Sequence, residues 1–181
     1  NDHNNSKIYY IDTIGNLLDS VDTYINFEDL EEISQDSIYI YLGDFGNNIN
    51  GNRQDLKIYK ILKTSLHGNL VIDSICFSYS NQTDYSNQGM NNTDFDCEAM
   101  IVKDSTIYLF TKQWISQKTS LYRLENTSGN HIAQLISNYD IGGLITGATY
   151  LQATNEIFLV GYTKNIQPFY IRLSGFGNNE N

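Results

Sequence analysis

A short aromatic segment with aliphatic neighbours returns four times along the chain. Its copies are Ile8-Tyr9-Tyr10-Ile11, Ile58-Tyr59-Lys60-Ile61, Leu121-Tyr122-Arg123-Leu124 and Phe169-Tyr170-Ile171-Arg172-Leu173. The first three lead, after a short polar turn, into Gly-Asn and an apolar stretch at Gly15-Asn16, Gly68-Asn69 and Gly129-Asn130. Gly and Asn tolerate the positive φ of tight turns, so each pair between β-type runs marks a hairpin. Upstream of the last three aromatic segments lie the most apolar runs, Ser37–Leu42, Thr106–Phe110 and Glu156–Val160. Each of these follows a run of mixed polarity, at Phe27–Leu30, Phe95–Met100 and Ile145–Thr149. With the four types labelled A to D in order, the chain reads C-D, A-B-C-D, A-B-C-D, A-B-C.

A fixed order of four short strands at a period near fifty residues is the pattern of β-propeller blades. A β-sandwich also has many short strands, but gives no reason for the same order to return with matching turns. The sequence therefore predicts one all-β domain over residues 1–181, a β-propeller of four-stranded antiparallel blades. Residues 1–25 form a partial blade, 26–79 and 94–141 full blades, and 144–174 another partial blade. A ring needs about four to eight blades. The expectation is an open arc of a larger ring, with the missing blades supplied by the rest of the chain or by another chain.

A formal net charge of -10 argues against a polyanion partner, because phosphate backbones are held by clustered Lys and Arg. No apolar run approaches the roughly 20 residues of a membrane helix, and Asn1–Asn5 is not a signal peptide. Cys76 and Cys97 either form one bridge across neighbouring strands or remain buried thiols. Sequons at Asn4, Asn81, Asn91 and Asn126 carry little weight in a chain this rich in Asn. His3, His67 and His131 have no partnered Ser or Cys, and Gly-x-Ser-x-Gly does not occur, so a nucleophilic triad is not expected. No Cys/His metal cluster is legible either.

Several longer motifs carry a family resemblance: Asn26–Leu30, Gly43-Asp44-Phe45-Gly46-Asn47-Asn48 with Gly51-Asn52-Arg53, and Asp94–Met100. Tyr108–Trp114, Gly143–Ala148 and Gly161-Tyr162-Thr163 with Pro168-Phe169 add to it. Together they resemble the propeller module of secreted, often type IX-sorted, bacterial proteins. That group is similar to the SdiA-regulated and esterase-like phytase propellers, which share an Asp-x-Glu-[Gly/Ala/Asp]-hydrophobic signature on inner strands. The resemblance implies a six-bladed ring, an extracellular or cell-surface location and strands beyond both ends of this chain.

In a propeller the first strand of each blade lines the axis, which places Glu28, Glu98 and Gly147 at matching inward positions. Inward carboxylates suit Ca²⁺, a hard cation that takes six to eight oxygens. The expected ligands are Glu28 and Glu98, supported by Asp29, Asp44 and Asp96; the alternative is that these side chains only bond nearby backbone. The Asp44–Asp55 loop fails the EF-hand pattern and reads as a turn scaffold, with Arg53 clamped by Asp44 or Asp55. Phe45, Trp114 and Tyr162, at the ends of B strands, form the expected ligand face, while the repeated Tyr of the C strands is expected to pack between blades.

The leading functional expectation is a non-enzymatic extracellular module that binds a protein partner or polysaccharide, with an axial Ca²⁺ as its only candidate cofactor. A Ca²⁺-dependent hydrolase of esterase or phytase type, using the same carboxylates, is the alternative. Phosphate chemistry would also need a basic clamp, for which only Lys103 and Lys112 are near. A glycosidase pair of Glu28 and Glu98 depends on a separation that sequence does not give. A third alternative is a structural subunit of a surface assembly.

Overall fold

A computed structural model describes residues 6–175, which contain thirteen β-strands and no α-helix. His3 and the sequon at Asn4 lie outside the described residues. β1 (Lys7–Ile11) and β2 (Leu17–Asp22) form a hairpin. β3 (Leu30–Gln35), β4 (Tyr39–Asp44), β5 (Lys57–Leu62) and β6 (Ile72–Tyr79) form an antiparallel meander, as do β7 (Asp96–Lys103), β8 (Thr106–Lys112), β9 (Lys118–Glu125) and β10 (Gly129–Asp140). β11 (Leu144–Leu151), β12 (Glu156–Tyr162) and β13 (Pro168–Leu173) close the chain as a three-stranded sheet. At the first hairpin, Asp12 Oδ1 accepts the Asn16 amide at 2.8 Å and Gly15 takes φ +89°, the role expected of Gly-Asn. The third Gly-Asn is no turn: Gly129 and Asn130 are the first residues of β10.

The chain is all-β, but it is not an arc of separate four-stranded propeller blades. β10 changes partner along its length: Gly129–Ala133 run parallel to β6, and Gln134–Asp140 run antiparallel to β9. The two meanders are thereby fused into one eight-stranded mixed sheet, β3-β4-β5-β6-β10-β9-β8-β7. Its outer strands β3 and β7 lie against each other, so the sheet is nearly closed, and the hairpin β1-β2 and the sheet β11-β12-β13 stand as separate small sheets.

Three apolar clusters lie between successive units, and period-two alternation feeds them. Met100 and Val102 of β7, with Ile107 and Leu109 of β8, face the β3–β6 meander, where Tyr41, Ile58 and Ile75 meet them. Their neighbours Ala99, Ile101, Tyr108 and Phe110 face the other way, onto Ile145, Ile157 and Leu159. Strands buried on both faces read as continuous apolar runs, which is why the B segments were the most apolar in the sequence. A third cluster joins Val21 of the first hairpin to Ile40, Leu42 and Ile61. The repeated Tyr is only partly a packing residue: Tyr122 is buried and Tyr59 packs against the third cluster, whereas Tyr9 and Tyr170 are largely exposed. Pairing explains Tyr170: Leu159 stands opposite Ile171 as Leu109 stands opposite Tyr122, so Ile171 holds the equivalent place.

The first strands β3, β7 and β11 converge. Glu32 of β3 accepts the Ala148 amide of β11 at 3.3 Å, bridging 116 residues of sequence.

Candidate functional site

Each converging strand carries a β-bulge near its start, between Leu30 and Glu32, between Cys97 and Ala99, and between Ile145 and Gly147. The extra residues are Glu31, Glu98 and Thr146. A bulge leaves one residue unpaired and re-aims its side chain, and such irregularities concentrate beside functional sites. The repeat is therefore in register as Asp29-Leu30-Glu31, Asp96-Cys97-Glu98 and Leu144-Ile145-Thr146. The expected matching of Glu28 and Gly147 to Glu98 is corrected to Glu31 and Thr146. Glu28 itself is exposed, with its amide donating to Asp44 at 3.2 Å.

Asp96 is fully buried and accepts the Asn47 amide and the Trp114 indole N–H, each at 2.7 Å. Glu98 accepts from Lys112 Nζ at 2.8 Å, and both side chains are almost excluded from solvent. The same ammonium lies 4.4 Å from the Trp114 ring centre and 5.4 Å from that of Tyr162. An ammonium over an aromatic face gains about 0.5–2 kcal/mol, so Lys112 ties one carboxylate to two rings. Gly46 lets the remaining acids approach: a Cβ there would collide with the Asp29 carboxylate and lie 2.6 Å from Glu31 Oε1.

Crowding four acids around one ammonium shows in their protonation. Burial, and then the charges of Glu98, Asp29 and Asp96, push Glu31 from 4.5 up to about 9. Burial and Glu98 push Asp96 up to about 7, against the hydrogen bonds from Asn47 and Trp114. Burial alone would lower Lys112, but its bond to Glu98 outweighs this and holds the ammonium above its usual range. Burial pushes Glu98 up as well, opposed by its bond to Lys112, so at neutral pH the cluster holds a protonated carboxyl at Glu31 beside the hydrogen-bonded Glu98 and Lys112.

Of the five acids expected to bind Ca²⁺, Glu28 is exposed and the other four fall into two groups. Asp44 is spent on the loop: it accepts the amides of Glu28 and Asp29 and the Arg53 guanidinium at 3.2 Å. Arg53 also reaches Asp55 at 3.0 Å and the Gly46 carbonyl at 2.8 Å, so both acids clamp the Asp44–Asp55 scaffold. Asp29, Asp96 and Glu98 stay with Glu31 and Lys112. Among the described residues, no three His, Cys, Asp or Glu side chains are placed to hold a metal ion.

Of the expected ligand face, Trp114 and Tyr162 sit half-buried beside Lys112, and Phe45 does not join them. Phe45 is fully buried in the central cluster, its ring 6.4 Å from that of Phe77. Strand pairing explains this: Asp44, Thr111 and Gly161 stand opposite Leu30, Cys97 and Ile145, so the residues that follow them, Phe45, Lys112 and Tyr162, are equivalent. In the sequence Lys112 is legible only as part of a phosphate clamp. The signal for Glu31 was present in the Asp-x-Glu spacing shared by residues 29–31 and 96–98.

His67 lies 3.5 Å from Asp19, while His131 lies 3.9 Å from Glu125, 2.8 Å from the Thr127 carbonyl and 3.5 Å from the exposed Thr127 hydroxyl. Cys76 and Cys97 are free thiols, not a bridge. No helix among the described residues is long and apolar enough to cross a membrane. No protein-family model matches the chain, and no curated protein matches it in sequence.

Proposed function

We propose that the chain is an extracellular binding module that takes a neutral polysaccharide on the rim formed by Asp29, Glu31, Glu98, Trp114 and Tyr162. Sugars are held by carboxylate and hydroxyl acceptors around the ring and by aromatic faces against its C–H surface, and both kinds of group adjoin Lys112. The observation that carries the reading is Lys112 itself, bonded to Glu98 and lying over both rings. That arrangement fixes the aromatic pair before any ligand arrives, which lowers the entropic cost of binding.

The test is affinity electrophoresis through gels containing soluble xylan, mixed-linkage β-glucan or starch. Retardation by at least one polymer, reduced tenfold or more in Trp114→Ala and Tyr162→Ala, is the expected result. A chain retarded by none of them, or equally retarded in both variants, would overturn the reading.

Glycoside hydrolysis is a second reading, favoured by the protonated Glu31 near Glu98, which Lys112 draws towards its carboxylate form, since such cleavage uses one carboxylic acid and one carboxylate. Release of reducing ends from the retained polymer, abolished in Glu98→Gln, would place the chain among hydrolases. Binding without such release keeps it a binding module.

A further inference from the structure

A cavity of about 400 Å³ opens between the first hairpin and the start of β3 and β4. Ile8, Phe27, Leu30 and Leu42 give it an apolar wall, and Glu31 stands at its border. The neighbouring Glu32 is already engaged by the amides of Ile33 and Ala148. Lys7 also borders the cavity, where its charge acts on Asp22 across the hairpin. Glu31 differs from both: no hydrogen bond or ion pair reaches its carboxylate among the described residues. Lys112, whose charge acts on Glu31, is spent on Glu98.

We propose that this cavity binds a primary alkylammonium group, with the aliphatic tail against Ile8, Phe27, Leu30 and Leu42 and the ammonium at Glu31. Apolar walls with one placed polar group are the ordinary make-up of a small-molecule site. The acids around Glu31 that keep a proton on it at neutral pH also favour a cation in that proton's place, so the ammonium enters as the proton leaves, and a neutral or anionic head gains nothing there. The ammonium supplies the partner that Glu31 lacks, and the tail fills space that the first hairpin and β3 leave open. The site is separate from the aromatic rim, and Glu31 is the only acid they share.

The probes are n-hexylammonium, n-hexanol and n-hexanoate, which share one tail and differ in the charge of the head. Binding is read at pH 7 by calorimetry and by amide shifts of Leu30 and Leu42. Hexylammonium is expected to bind at least tenfold more tightly than hexanol, and hexanoate not to compete. Glu31→Gln should reduce hexylammonium to the level of hexanol. Equal binding of hexylammonium and hexanol, no binding of either, or shifts outside the cavity would overturn the proposal. The wild-type comparison among the three probes decides the matter even where a variant fails to fold.

Discussion

Lys112 Nζ lies 2.8 Å from Glu98 Oε1, with side-chain exposures of only 7% and 10%. A pair so shielded is costly to break from one side, because the survivor is left charged and without a partner, at about 3–5 kcal/mol. Lys112→Met should therefore lower the urea midpoint sharply. The double variant Lys112→Met/Glu98→Gln should recover much of the loss. Equal midpoints for the single variant and the wild type would show that the pair contributes nothing.

The acid cluster makes stability depend on pH in a definite direction. Glu31 holds its proton up to about pH 9 when folded but gives it up near 4.5 when unfolded. Between those values the folded chain binds more protons, so its stability falls as pH rises through the window. Asp96 acts in the same sense between 3.8 and about 7. Asp36 and Asp55, held below the usual range by Tyr41 and Arg53 against the pull of burial, act oppositely and lose their contribution only in stronger acid. Urea midpoints should be higher at pH 5 than at pH 8, and Glu31→Gln should flatten that slope.

Local strand pattern was legible in the sequence, and non-local pairing was not. All thirteen strands follow the repeated A-to-D order, because period-two burial and turn chemistry are encoded within a few residues. The exchange of partners by β10 is not encoded that way. Nothing in Gly129–Ala133 marks it as the parallel neighbour of β6, which lies some fifty residues earlier. A bulge is similarly hidden, but it recurs at the same place in β3, β7 and β11, so the Asp-x-Glu spacing of residues 29–31 and 96–98 alone aligns Glu31, and not Glu28, with Glu98. Phe45 failed as a ligand contact because the position equivalent to Lys112 and Tyr162 points, in the first meander, into the central core.

The two thiols should behave as independent groups. Cys97 is fully buried, and burial holds its thiol well above the usual range, whereas Cys76 is partly exposed on β6. A thiol-specific reagent should modify Cys76 in the native chain and Cys97 only after unfolding, since the thiolate is the reactive form. Dithiothreitol should leave the melting temperature unchanged, because no bridge is there to reduce. Loss of stability on reduction would require a pairing that this fold does not make.

Trp114 links the rim to the core through one hydrogen bond. Its indole N–H is one of two donors to the buried Asp96 carboxylate, the other being the Asn47 amide, which ties the Asp44–Asp55 loop to β7. Trp114→Phe keeps a ring beside Lys112 but removes the donor, at an expected cost of about 1–3 kcal/mol. The same change should push the Asp96 carboxyl further up, so that the variant loses stability more steeply between pH 5 and 8 than the wild type. Trp114→Phe should also retain part of any polysaccharide affinity that Trp114→Ala loses, because stacking needs the ring and the Asp96 bond needs the nitrogen. Equal loss of affinity in both variants would mean that the indole nitrogen, and the placement of Asp96 behind it, governs the rim.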